Sequence, residues 1–233
     1  VRDDLMKMIV HDLKSPLTSV QATLEMVADG DFGPVTVAQR QALGDAQGKS
    51  AELLELIEDL LEIARIEEGA LALDPSPLVP GAFLDAMRDD WAVRFAAAGA
   101  TCAVETAADA PVCVADRALL RRVFGNLLQN AIAHAPGPVH VRLSARRDGD
   151  GVLFTVADDG PGIAPEYQEL VFRKFETVRL ATGASPRSSG LGLTFCRLTV
   201  EAHGGRIWVQ SAPGQGAAFH VRLPREPQPP PSA

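Results

Sequence analysis

The sequence predicts a helical hairpin that pairs into a four-helix bundle, followed by an α+β two-layer sandwich. Apolar residues Leu5, Ile9, Leu13, Leu17, Val20, Leu24 and Val27 recur every three or four residues, the buried stripe of an amphipathic helix. After an interruption at Gly30, Gly33 and Pro34, the residues Leu43, Ala46, Ser50, Leu53, Ile57, Leu60 and Ala64 form a second stripe at heptad spacing. Beyond Asp74-Pro75-Ser76-Pro77 and Pro80 the pattern changes. Helical stretches near 81–99 and 116–135 there mix with alternating, strand-like runs at 139–143, 152–156, 207–209 and 219–223.

The first helix is expected to stop near Asp29-Gly30 and the second to run to about Gly69. Leu54, Leu56, Leu61 and Ile63 broaden the second apolar face beyond what one hairpin covers, so two hairpins pairing as a homodimer are expected. The alternative is a hairpin packed on its own C-terminal domain. The expected domains are 1–72 for the hairpin, a linker at 73–77, the sandwich at 78–224 and a disordered proline-rich tail at 225–233.

The chain has 233 residues, 46% of them hydrophobic, enough for two modest cores. A formal net charge of -8 argues against general binding to nucleic acid or anionic membranes, which calls for a basic surface. Cys102, Cys113 and Cys196 contain no CxxC pair and read as buried thiols of a reducing compartment. Without an apolar run of roughly 20 residues or a signal-peptide pattern, a soluble, cytoplasmic fragment without membrane contact is expected. It starts at Val1, already inside a helical pattern, from which upstream sequence is expected.

The most informative segment is His11-Asp12-Leu13-Lys14-Ser15-Pro16. His11 stands two residues from both Ile9 and Leu13, about 200° around the helix from each, so it is expected off the buried stripe and open to reaction. Asp12 can accept a hydrogen bond from one ring nitrogen and leave the other nucleophilic. Ser15 shares the face one turn on, and Pro16 is expected to bend the helix.

Three further signals concern a nucleotide. Asn126 and Asn130, four apart in an apolar helical stretch, share a face and can present amide oxygens to hydrated magnesium. Packing amides are the alternative for that pair. Asp158 ends a strand-like run and leads into Asp159-Gly160-Pro161-Gly162, where a carboxylate can accept from an exocyclic amine beside glycines that admit a flat ring. Ser189-Gly190-Leu191-Gly192-Leu193 opens an apolar helical run whose N–H groups can face phosphates.

In this order, the motifs resemble those of the sensor histidine kinases of two-component systems over nearly the whole chain to Pro224. HDLKSPL resembles the phosphoacceptor box, GNLLQNA the asparagine box, DDGPGI and SGLGL the glycine boxes, and Phe172-Arg173-Lys174-Phe175 the phenylalanine box. Glu201-Ala202-His203-Gly204-Gly205-Arg206-Ile207, with Gly214-Gln215-Gly216 and Phe219, resembles the family's C-terminal end. The resemblance implies a sandwich of the gyrase, chaperone and histidine-kinase ATPase type, with ATP and Mg2+ as cofactors. It makes His11 the phosphoacceptor, Asp12 its activating acid and Asn130 the magnesium ligand, with Asn126 beside it. Asp158 becomes the adenine contact, Gly160 and Gly162 shape the pocket, and Gly190, Leu191 and Gly192 border the phosphates. Residues 178–189 become a lid, with Arg179 and Arg187 as phosphate contacts.

The implied partners are a second copy of the chain and the receiver domain of a response regulator, which takes the phosphoryl group on an aspartate. Ala133 and Ser188 depart from the family pattern, which often has a basic residue and a glycine there; Ser15 stands where dephosphorylating members commonly have Thr or Asn. Two other readings stay open: an ATP-binding signalling scaffold without phosphotransfer, and an ATPase of the gyrase and chaperone type.

Overall fold

The computed structural model describes residues 2–68, 71–133, 135, 137–174 and 190–227; for residues 2–14, 52, 55, 56 and 58 it describes the backbone alone. The chain divides into two units at the Ala70–Leu71 boundary.

In the first unit, helix α1 (Arg2–Asp29) packs against helix α2 (Val37–Glu67). α1 continues through Pro16 as a single element. The connector turns on Gly30 and Gly33, at φ 91° and 122°, a region that side-chain-bearing residues avoid. α2 then starts on a capping box: Thr36 Oγ1 accepts from Gln39 N at 3.3 Å, and Gln39 Oε1 accepts from Thr36 N at 2.8 Å. Ile63, which broadens the second face, is buried, whereas Leu53 and Leu60 of the second stripe are 45% and 41% exposed and Val20 of the first is 49% exposed. The hairpin thus leaves part of both stripes uncovered.

The second unit holds a five-stranded sheet with helices layered on one face. Its strands are β2 (Thr101–Thr106), β4 (His140–Asp148), β5 (Gly151–Asp158), β6 (Arg206–Ser211) and β7 (Ala217–Leu223), in the order β2-β4-β5-β7-β6. Only β2–β4 is parallel. Alternation decides the faces: Val141, Leu143, Phe154, Val156, Phe219 and Val221 are buried, while Arg142, Thr155, His220 and Trp208 lie on the other side. Helices α3 (Pro80–Ala97), α4 (Arg117–Ala133) and α5 (Gly192–Ala202) cover the apolar face, α3 against β2, α4 against β5 and α5 against β6. Phe83, Phe124 and Phe154 meet edge to face, with centroids 5.0 to 6.2 Å apart, joining α3, α4 and β5 at the core.

A small second sheet pairs β1 (Ser76–Leu78) with β3 (Cys113–Ala115). Two expectations change here. The proline-rich segment read as a linker to Pro77 is strand from Ser76, because Pro77 sits in a short edge strand where its missing N–H does no harm. The tail read as disordered from 225 is held at its start, since Pro224 is buried and the Arg225 carbonyl accepts from Val114 N at 2.8 Å; residues 228–233 lie outside the described residues. β1, β2 and β3 were legible in no run of alternating residues: two are only three residues long and β2 is a half-exposed edge. Cys113 and Cys196 are buried as expected, but Cys102 on that edge is only half-buried.

Among the described residues, no helix is long and apolar enough to cross a membrane. In α5, the fully buried Thr199 hydroxyl has no hydrogen-bond partner among them. Replacing it with a methyl group removes an unsatisfied polar atom at little change of shape, so Thr199→Val is expected to stabilise this unit by about 1 kcal/mol. In a calorimetric melt that is a rise of about 2–4 °C, and a fall would refute the assignment.

Candidate functional site

The site grows from the end of β5. Asp158 Oδ1 accepts from Gly160 N at 2.9 Å and from Ala217 N at 3.3 Å, so the carboxylate is pinned between its own turn and the start of β7. Two glycines make this approach possible. At Gly216 (φ 74°) a Cβ would stand 1.9 Å from the Asp158 carbonyl oxygen, and at Gly162 (φ 73°) it would stand 2.0 Å from that of Ala212. Only a residue without a side chain fits either place.

Side chains lock the two turns further. Ser211 Oγ accepts from Ile163 N at 2.7 Å and donates to the Gly216 carbonyl at 2.6 Å. Gln168 Nε2 donates to the carbonyls of Ser211, at 2.7 Å, and Ile163, at 3.2 Å. Asp159 points elsewhere, accepting from His140 N and His140 Nδ1, both at 2.7 Å, at the start of β4. Those bonds hold the Asp159 carboxyl below the usual carboxylate range.

Asn126 and Asn130 lie on the half-buried flank of α4, in one row with Arg122. Asn126 Nδ2 donates to the Gly192 carbonyl at 3.2 Å, which joins the asparagine row to the glycine turn that begins α5. A Cβ at Gly192 would press on the Asn126 amide at 3.4 Å. Gly190 adopts φ 70°, and buried Leu191 caps α5 without any side-chain hydrogen bond. Thr194 Oγ1 donates to the Phe172 carbonyl at 3.2 Å, and Phe172 meets Phe219 edge to face, so the motif Phe172-Arg173-Lys174 leads back to the sheet.

The structure thus joins Asp158 to Gly160 and, through backbone, to Gly162 on one side, and Asn126 to Gly190–Gly192 on the other. A fixed carboxylate can accept from an amine, and the uncapped N–H groups of α5 can donate to an anion. His11 and Asp12 lie in α1, where only the backbone is described, and Ser15 is exposed one turn on. Arg179, Arg187, Ser188 and the expected lid at 178–189 lie outside the described residues. Sequence reasoning missed the braces: Ser211, Gln168, His140, and His203, whose Nε2 accepts from Asp116 N at 3.0 Å. Of these only Asp116 carried a local signal, an Asp directly before a helix.

The family described as His Kinase A (phospho-acceptor) domain matches residues 1–69, and the Histidine kinase-, DNA gyrase B-, and HSP90-like ATPase family matches residues 115–227. The chain is 33% identical over 225 residues to the adaptive-response sensory kinase SasA of Synechococcus sp. (strain JA-3-3Ab), covering 96% of this chain and 59% of that one. It is 32% identical over 228 residues to the signal transduction histidine-protein kinase BaeS of Escherichia coli (strain K12), covering 97% of this chain and 47% of that one. It therefore spans about half the length of these relatives. Among solved structures, full-length ShkA in complex with AMPPNP superposes with a TM-score of 0.78 at 27% identity, over 98% of this chain and 47% of that chain. The chain belongs to the sensor histidine kinases, with a phospho-acceptor helical domain leading into an ATPase-type domain.

Proposed function

We propose that the chain binds Mg-ATP in its second unit, autophosphorylates on His11 and passes the phosphoryl group to an aspartate of a response-regulator receiver domain. The observation that carries the nucleotide half is Asp158: two backbone N–H groups hold its carboxylate at a turn whose glycines let the backbone of the β6–β7 turn pack directly against it. Such a carboxylate accepts from the exocyclic amine of adenine, and guanine offers a carbonyl at that place. Gly160 and Gly162 line the ring, and the N–H groups after Gly190 and Leu191, from Gly192 onward, donate to phosphate oxygens.

The residues also fit magnesium. The Asn130 amide is half-buried, makes no hydrogen bond to a described residue and supplies the kind of oxygen this ion takes beside phosphates and water. Asn126 is held beside it by Gly192. When bound, the ion neutralises phosphate charge during transfer. Arg179 and Arg187 are the further phosphate contacts of this reading, within the 178–189 lid.

An imidazole nitrogen of His11 attacks the γ-phosphorus in line, the bond to the bridging oxygen breaks, and ADP carries away its electron pair. Asp12 orients the ring and balances the imidazolium that forms. A receiver aspartate then takes the phosphoryl group as an acyl phosphate, restoring the imidazole. Ser15, exposed one turn beyond His11, would orient the water if the chain also removes phosphate from that aspartate. A second copy covers the hairpin's exposed stripe residues Val20, Leu53 and Leu60, giving a homodimer.

With γ-labelled ATP and magnesium, the chain is expected to take up acid-labile, base-stable label. His11→Gln is expected to lose all of it and keep ATP binding. Label that survives the substitution would overturn the phosphoacceptor; ATP binding with no label in the parent chain would favour the signalling scaffold instead.

Asp158→Asn keeps one oxygen for the Gly160 and Ala217 N–H groups but turns an amine toward adenine's amine. A weakening of ATP binding by about 10- to 100-fold is expected by calorimetry, from loss of a hydrogen bond to a charged acceptor. Unchanged affinity would remove Asp158 from the adenine contact.

A further inference from the structure

α4 and α5 run antiparallel, and hydrogen bonds join them at both ends and midway. Asp116 N, just before α4, donates to His203 Nε2 at 3.0 Å, just after α5. Midway, Cys196 Sγ donates to the Val123 carbonyl at 3.5 Å. At the nucleotide end, Asn126 Nδ2 donates to the Gly192 carbonyl at 3.2 Å. Arg122 adds a contact over the Phe195 ring, 4.5 Å from its centroid. At a rise of 1.5 Å per residue, the outer two bonds stand about 15 Å apart along α4.

The distal bond is the most strictly specified. His203 is 1% exposed, and its Nδ1 lies 2.8 Å from the Thr199 carbonyl, which can only accept; Nδ1 therefore carries the proton. Nε2 faces the Asp116 N–H, which can only donate, and so presents its lone pair. Both ring nitrogens are committed in the neutral tautomer. Burial pushes the His203 pKa below its ordinary value, against the opposing pull of the Thr199 carbonyl and the Asp116 carboxylate, and keeps that tautomer in place.

Asp116 is committed as well. Its Oδ1 accepts from Leu119 N at 3.0 Å, capping α4, and its Oδ2 accepts from Asp74 N at 3.1 Å, in the segment leading into β1. One residue thus holds the start of α4, the end of α5 and the segment by which the chain enters this unit.

We propose that His203 is a positioning residue for the nucleotide site, fixing the register of α5 on α4 through Asp116 so that Gly190–Gly192 stays aligned with Asn126 and Asn130. The inference rests on the nucleotide reading above. Without the distal bond, α5 pivots about the remaining contacts, and its first turn moves relative to the asparagine row.

Two substitutions separate this role from plain core packing. In His203→Gln the amide oxygen reaches the place of Nε2 and still accepts from Asp116 N. In His203→Asn the shorter amide still donates to the Thr199 carbonyl and leaves the Asp116 N–H without an acceptor. Both lose ring packing, so core packing alone makes them similar.

On the full chain, at a temperature where near-ultraviolet circular dichroism shows both variants folded, two readouts are taken. Without nucleotide, hydrogen exchange at the Phe195 amide, which closes the first turn of α5 on the Leu191 carbonyl at 2.8 Å, is expected to rise in His203→Asn and stay near the parent in His203→Gln. With Mg-ATP in the calorimeter, His203→Asn is expected to bind about tenfold more weakly, the effect of one orphaned buried donor, and His203→Gln within about threefold of the parent. Equal behaviour of the two variants in exchange and binding overturns the proposal. A parent chain that binds no ATP sinks the nucleotide reading, while the exchange difference still decides whether His203 sets the register.

Discussion

The second unit depends on one close approach, that of the Gly216 backbone to the Asp158 carbonyl, where an added Cβ would lie 1.9 Å from the oxygen. A carboxylate discriminates between an amine and a carbonyl only if it cannot turn away. Asp158 cannot, because the Gly160 and Ala217 N–H groups grip the same oxygen. That grip requires β7 to begin beside the end of β5, and the antiparallel register places Ala217 opposite Asp158. Ser211 and Gln168 then tie the β6–β7 turn to the turn after β5, so the turn that carries Asp158 is stiffened by sequence some fifty residues away.

The helices solve a different problem. α4 must bury Leu120, Val123, Phe124, Leu127 and Leu128 yet carry two amides outside that apolar face. Helical periodicity permits both: the apolar residues face the sheet, and Arg122, Asn126 and Asn130 form an i, i+4 row on the flank. Asn126 satisfies its amide on the Gly192 carbonyl, which makes the asparagine row and the glycine turn that begins α5 parts of one packed pair of helices. The edge-to-face triangle of Phe83, Phe124 and Phe154 sets where that pair stands over the sheet.

What the sequence revealed follows from which requirements are local. The two helices of the hairpin, α3, α4 and the four longest antiparallel strands showed in residue periodicity, and the turn after β5 showed in its glycines, because each demand falls on adjacent residues. β1, β2 and β3 escaped notice. β1 contains Pro77, β2 is an edge strand with one half-exposed face, and β3 has three residues, so none offers enough alternation to register. The proline-rich stretch misled in the same way: proline marks a break in a helix equally well whether a loop or an edge strand follows, and only the pairing partner, Cys113–Ala115, decides between them.

Partners distant in sequence are invisible for a stricter reason. Nothing beside His203 announces that its lone pair meets the N–H of Asp116, and nothing beside Asp159 announces that its carboxylate holds His140. In both cases one side chain answers a backbone group in another element, and any element brought there by the fold would offer the same group. Glycines, helix faces and reactive side chains therefore carry local signals. The residues that hold those groups in place are found only once the chain has folded: Ser211 and Gln168 at the turn after β5, His140 at the start of β4, and His203 at the far end of the paired helices α4 and α5.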